Sequence, residues 1–144
     1  MFTGTYPNSI DLKNRVIIPS KFRDELGQRC LWTKGFDGRC LYIFSVSEWE
    51  NFMQRLSALP SLDAGARQLI KHFSAGAKDC DIDRQGRVVI PQELREYANI
   101  EKELVTIGLM NKIEVWSKAE WDNIEKIEPD EIAQKLAGYG IHGL

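Results

Sequence analysis

Cysteine is scarce in this chain and poorly placed for chemistry. Cys30, Cys40 and Cys80 are odd in number, form no Cys-x-x-Cys, and each lies in or beside an apolar, strand-like run. They are expected to be small buried hydrophobes rather than metal or redox groups. The two histidines, His72 and His142, have no companion at ligand spacing. No metal site and no cofactor are expected. No apolar run approaches the ~20 residues of a membrane span, and the opening Met1-Phe2-Thr3-Gly4-Thr5-Tyr6 lacks the regions of a signal peptide. The expectation is a cytoplasmic protein with no membrane partner. Positive charge is not in excess either. The net charge is −2 at pH 7, so composition alone does not suggest a nucleic-acid partner. The distribution is uneven, however. Residues 1–30 carry a balance of +2 and residues 114–131 a balance of −5, which can orient an anionic partner toward one face.

The chain is a duplication. Asp11-Leu12-Lys13-Asn14-Arg15-Val16-Ile17-Ile18-Pro19 returns 72 residues later as Asp83-Arg84-Gln85-Gly86-Arg87-Val88-Val89-Ile90-Pro91. Arg23 matches Arg95, and Ser45, Glu48, Trp49 and Asn51 match Ser117, Glu120, Trp121 and Asn123. The offset is half of the 144 residues. A half this small builds a marginal core alone, so the two halves are expected to share one core about a pseudo-two-fold axis.

Each copy reads as a hairpin, a short helix, two strands and a further helix. β-branched runs leave each repeated loop. The loop holds Asn14 in one copy and Gly86 in the other, the two residue types that best tolerate positive φ. Pro19 and Pro91 open short helices, which Gly27 and Asn99 are placed to end. Strands are expected near 30–33, 40–44, 104–109 and 112–116. Ser45 with Glu48, and Ser117 with Glu120, form capping boxes. Trp49, Phe52, Met53 and Leu56 then recur at helical spacing, a pattern that predicts a core face. A linking helix follows, with Ala66, Leu69, Ile70 and Phe73 on one side, and Pro129 opens a last helix with Ile132 and Leu136. The class is α+β, mainly β. The boundaries are repeat one at 5–47, a helical connector at 48–75, repeat two at 76–119 and a helical tail at 120–144.

Asp and Arg four residues apart across a tight turn can face each other. One role for the pair is a salt bridge that pins the hairpin, which at an exposed site contributes only ~0–1 kcal/mol. Another is to hold the guanidinium in a fixed direction for bidentate contact with a guanine edge or a phosphate. Lys13 and Asn14 flank Arg15, and Arg84 and Gln85 flank Arg87; these side-chain types contact bases and phosphates. On spacing alone both roles stand. Paired aspartates could also suggest an aspartic protease. That chemistry needs two carboxylates sharing a proton, whereas arginines four residues on would keep Asp11 and Asp83 ionised. No enzyme is expected.

The residues around the motif carry a resemblance. The start Met-Phe-Thr-Gly-Thr-Tyr, the run Ile10-Asp11-x-Lys13-x-Arg15-x-x-Ile18-Pro19-x-Lys21-Phe22-Arg23, the stretch Cys80-Asp81-Ile82-Asp83-x-x-Gly86-Arg87-x-x-Ile90-Pro91-x-x-Leu94-Arg95, and Ile107-Gly108-x-x-Asn111-Lys112-Ile113-Glu114-x-Trp116 closely resemble the MraZ family. The likeness runs from residue 1 to about 127. It implies the AbrB-like swapped-hairpin DNA-binding fold, with two copies of the unit in one chain. The expected architecture is a pseudo-two-fold, double-split β barrel with flanking helices, assembled as a ring-shaped homo-oligomer. The resemblance also implies a nucleoid-associated transcriptional regulator that binds direct repeats in double-stranded DNA upstream of the bacterial cell-division and cell-wall gene cluster. The family's DNA-contacting Asp-x-x-x-Arg loops fall at Asp11 to Arg15 and Asp83 to Arg87. Lys13, Asn14, Arg15, Arg84, Gln85 and Arg87 are then the DNA-binding candidates, Asp11 and Asp83 orient the loops, and Lys21, Arg23 and Arg95 are candidate phosphate contacts. Asn14 departs from the family's usual glycine, which puts base preference at this loop in question. The more basic flank of the first copy, Lys13, Lys21 and Arg23, makes Arg15 the expected stronger contributor. Alternatives within the same fold are an antitoxin-like protein and a scaffold ring without specific DNA binding.

Overall fold

The two halves fold by exchanging strands. The computed structural model describes residues 1–144. Its first half contains β1 (Phe2–Ser9), β2 (Arg15–Ile17), α1 (Ser20–Leu26), β3 (Arg29–Lys34), β4 (Leu41–Ser45) and α2 (Val46–Ser57). After α3 (Ala64–Gly76), the second half contains β5 (Lys78–Asp81), β6 (Arg87–Val89), α4 (Gln92–Tyr97), β7 (Glu103–Met110), β8 (Lys112–Ser117), α5 (Lys118–Asp122) and α6 (Pro129–Gly138). Six strands form an antiparallel sheet in the order β1-β7-β8-β4-β3-β5, and β2 with β6 forms a separate ribbon. The first strand of each half thus pairs with the third strand of the other. Val16 pairs with Val88 and Tyr42 with Glu114. Both pairs are 72 residues apart, so one pseudo-two-fold axis runs through both ladders.

The architecture is α+β with mostly antiparallel strands, as the sequence indicates, but hydrogen bonds do not close it into a barrel. The large sheet is open at β1 and β5. The ribbon strands pair only with each other, over three residues, each directly after an Asp-x-x-x-Arg turn. The symmetry also slips by two residues at β7. Cys30 pairs with Cys80, whereas the corresponding pair is Asn8 with Leu104. The longer α4–β7 connection introduces the slip and a tighter β7–β8 turn removes it.

The larger of two apolar clusters draws on both halves. It includes Val16, Ile18, Phe22 and Leu26 with their counterparts Val88, Ile90, Leu94 and Ala98, closed by Phe2, Trp32, Leu104 and Ile113. Cys30, Cys40 and Cys80 are free and buried. Burial pushes the Cys30 thiol up to about 11 and those of Cys40 and Cys80 up to about 12, so none is a ready nucleophile.

Helix boundaries follow the sequence closely. Pro19 and Pro91 stand at the N-caps of α1 and α4, one residue before the first helical position. Gly27 has φ 74° and Asn99 φ 55°, the positive φ their positions suggested, although Gly27, with ψ −143°, lies outside the left-handed helical region. Ser45 Oγ accepts from Glu48 N at 3.2 Å and Ser117 Oγ from Glu120 N at 3.1 Å. The second half of a capping box is replaced at α5, where the Glu120 carboxylate accepts from Asn99 Nδ2 at 3.3 Å. One expectation is corrected. Of the α2 stripe only Leu56 is buried, while Trp49, Phe52 and Met53 are half-exposed. Leu69 of α3 is also exposed, and Phe36 beside it is 75% exposed. Helical periodicity marks an apolar face, not what covers it.

Candidate nucleic-acid interface

The two repeated loops are built alike, from the aspartate outward. Asp11 Oδ1 accepts from the backbone N–H groups of Lys13 and Arg15, both at 2.9 Å. Its Oδ2 accepts from Arg15 Nε at 2.8 Å. In the second copy Asp83 Oδ1 accepts from Gln85 N at 2.9 Å and Arg87 N at 2.8 Å, and Oδ2 from Arg87 Nε at 2.9 Å. Backbone bonds close each turn: Asn14 N donates to Asp11 O, and Gly86 N to Asp83 O. Asn14 takes φ 61° and Gly86 φ 79°, so the residue exchange preserves one backbone shape. The Arg15 N–H is the main cause that holds the Asp11 carboxyl below its ordinary range. The Arg15 side chain and the Lys13 N–H add to it, against desolvation. Asp83 is lowered in the same way by Arg87 and Gln85. Both carboxylates are therefore charged at neutral pH.

Each arginine spends only Nε on its aspartate. Both terminal amino groups of its guanidinium are left without a protein partner, and these form the planar fork that suits a guanine edge or a phosphate. The ribbon register sets the two forks side by side. Arg15 pairs with Val89 and Ile17 with Arg87. Alternation then puts Arg15, Ile17, Arg87 and Val89 on one face, with Val16 and Val88 buried on the other. Diagonal neighbours on such a face are ~7–8 Å apart. Asn8 Nδ2 donates to Ile17 O at 3.0 Å and ties the ribbon to β1.

The remaining candidates divide. Lys13, Arg84 and Gln85 are exposed at the loop tips, Asn14 is half-buried, and Lys21 is exposed on α1. Arg23 and Arg95 are half-buried and partly engaged, because Arg23 Nε donates to Ile18 O at 2.9 Å and Arg95 Nε to Ile90 O at 3.0 Å. The Ile18 N–H in turn donates to Gly86 O, and the Ile90 N–H to Asn14 O. Each of these arginines thus braces the loop of the opposite copy, and a Cβ at Gly86 would collide with the Arg23 guanidinium. Arg23 therefore flanks Arg87 rather than Arg15, which removes part of the reason for ranking the first loop above the second. Sequence reasoning missed three exposed apolar residues here: Leu12 at the first tip, and Ile17 and Val89 on the outer ribbon face. The signal for the last two was their position two residues beyond each arginine on a strand.

Comparison with known proteins places the chain among relatives. A family profile described as "MraZ protein, putative antitoxin-like" matches residues 1–71 and 73–136. "Transcriptional regulator MraZ" of Lachnoclostridium phytofermentans is 45% identical over 141 residues, covering 98% of this chain and 99% of that protein. The protein of the same name in Clostridium tetani is 46% identical over 143 residues, covering 98% and 100%. Among solved structures, the solution structure of PHS018 from Pyrococcus horikoshii is 17% identical, with a TM-score of 0.33 over 80% of this chain and 88% of that one, too loose a match to carry an argument. With the profile matching nearly its whole length, the chain belongs to the MraZ family, whose members are transcriptional regulators and not enzymes.

Proposed function

We propose that this protein is a sequence-specific regulator that binds direct repeats in double-stranded DNA upstream of the cell-division and cell-wall gene cluster, through its two Asp-x-x-x-Arg loops. The observation that carries the reading is the pair of arginines pinned through Nε, with their terminal amino groups unused, on one face of a two-stranded ribbon. A ribbon of this kind fits the major groove of B-DNA. Arg15 and Arg87 meet guanine edges or phosphates, Asp11 and Asp83 aim them, and Lys13, Asn14, Arg84 and Gln85 contact neighbouring bases and backbone. Lys21 and the free amino groups of Arg23 and Arg95 face phosphates. Residues 5–47 and 76–119 act as the two AbrB-like units, 48–75 as the connector and 120–144 as the tail. The site of action is the nucleoid within the cytoplasm.

Self-assembly into a ring belongs to the same reading. Phe36, Phe52, Leu56, Leu69 and Phe73 form an open apolar groove beside His72, with Arg55 and Lys112 near it. The acidic segment 114–131 runs into the first turn of α6, and Ile124, Ile127 and, within α6, Ile132 are exposed. Apolar surface edged by cations on one side, and by carboxylates on the other, suits head-to-tail contact, which closes into rings. A ring also offsets the weak binding expected of a protomer with net charge −2, because several loops at fixed spacing raise the effective concentration.

The test is a binding titration against the organism's own upstream DNA and a scrambled duplex over a range of salt. Preference for the upstream DNA, with log affinity falling by ~0.9 per phosphate contact against log salt, is the expected result. Equal affinity for both duplexes at low salt, with the oligomer intact, would overturn the reading in favour of a scaffold ring.

A further inference from the structure

Ile17 and Val89 have no structural task that explains them. They occupy equivalent positions 72 residues apart, on the solvent face of a ribbon only three residues long. Ile17 is 47% and Val89 56% exposed, and neither joins an apolar cluster. An antiparallel ladder with one solvated face ordinarily carries polar residues there. Each is instead the direct cross-strand neighbour of a loop arginine: Val89 faces Arg15, and Ile17 faces Arg87. Direct neighbours of this kind hold their Cβ atoms ~4.5–5.5 Å apart.

We propose that Ile17 and Val89 are specificity-determining contacts that recognise the 5-methyl group of thymine, next to the base pair met by the adjacent arginine. The inference rests on the DNA reading above and deepens it. Within the major groove the thymine methyl is the one apolar group that a base pair presents, and branched aliphatic side chains are suited to it. A second protein copy is a poor occupant for this face. Two side chains offer little apolar area, and in the adjoining loops Lys13, Arg15, Arg84 and Arg87 outnumber the paired Asp11 and Asp83 four to two, a balance that would repel an identical face and attract a polyanion. The side-chain pairing also specifies a pattern. Each ribbon reads a guanine beside a thymine, twice, in pseudo-symmetric order.

Uracil substitution tests this on the whole upstream fragment, wherever the operator lies within it. The fragment is copied with dUTP in place of dTTP, which deletes every thymine methyl and keeps every base-pair hydrogen bond. Wild-type protein, an Ile17→Ala/Val89→Ala variant and an Ile17→Thr/Val89→Thr variant that retains β-branching are titrated on thymine and uracil duplexes, with scrambled duplexes as controls. Wild type should bind the uracil duplex about fourfold more weakly for each methyl contacted, the factor that corresponds to one buried methyl. The alanine variant should bind thymine and uracil duplexes alike, with an unchanged salt slope. Equal wild-type affinity for the two duplexes, with preference over the scrambled control retained, would overturn this inference alone. An equal uracil penalty in wild type and both variants would also overturn it, since the penalty would then reside in the DNA. No preference for the upstream thymine duplex over its scramble would overturn the DNA reading and this inference together.

Discussion

A free arginine side chain samples many rotamers, and ordering it on a ligand costs conformational entropy. Asp11 and Asp83 remove much of that cost beforehand, since each holds its arginine at Nε while two backbone N–H groups hold the aspartate. Replacing Asp11 or Asp83 by Asn keeps an acceptor for the backbone but places an uncharged amide against Nε. DNA affinity should fall in each case, by less than the ~5- to 150-fold that loss of a bidentate arginine costs, while circular dichroism stays that of wild type. Glu114 is a second residue whose charge has consequences. It is buried, Trp116 Nε1 donates to its Oε1 at 2.8 Å, and burial raises its pKa above the ordinary 4.5 against the pull of that bond and of Lys112, with Asp37 adding to the rise. An acid raised in the folded state favours folding below pH 4.5 and loses that contribution as pH rises through the raised value. Glu114→Gln keeps an acceptor for Trp116 and removes the charge. Its melting temperature should exceed wild type at pH 7, and the gain should vanish below pH 4.5. The aspartate–arginine contact was legible in the sequence, because four-residue spacing across a turn leaves few geometries. The burial of Glu114 was not, since it depends on which strands flank β8.

Local chemistry specified the elements well, and non-local pairing was the part that remained hidden. Proline before each short helix, positive-φ Gly27 and Asn99 after it, and serine caps all act within a few residues of themselves. The pairing of β1 with β7, and of β5 with β3, depends on residues far apart in sequence. Alternation marks a strand and its faces without naming its neighbour. The same limit applies to the expected double-split barrel. The strands were legible, whereas the pairing of β2 with β6 in a ribbon of their own was not, because the two lie far apart in sequence. Gly108 is a test of the exchanged pairing. It lies opposite Gly4 in β7, and a Cβ there would run into the backbone of Phe2 and Thr3. That neighbour is backbone and cannot rotate aside. Gly108→Ala should destabilise the fold by about 1–3 kcal/mol in a denaturant titration, with the earliest loss of amide protection in β1.

At the scale of the molecule, duplication places two Asp-x-x-x-Arg loops on one ribbon, and the proposed assembly would multiply whatever contact each makes. The groove lined by Phe36, Phe52 and Leu69 is the apolar surface left open by the fold. Helical spacing revealed Phe52 and Leu69 but not their exposure, and gave no signal for Phe36, because the stripe of α2 looks the same whether it meets its own core or another chain. Leu69 is exposed, so Leu69→Glu should leave the protomer folded while burying a charge in any contact made there. Sedimentation velocity should report a smaller species, and affinity for direct-repeat DNA should drop toward that of a single protomer. On the proposed reading, sequence recognition depends first on Arg15 and Arg87. The decisive measurement is the affinity of the Arg15→Ala/Arg87→Ala protein for the upstream duplex and for its scramble, at one fixed salt concentration. The ratio of the two affinities should collapse to about one, with oligomeric mass and circular dichroism unchanged. A ratio equal to that of wild type would contradict the two-arginine reading and place sequence recognition elsewhere on the molecule.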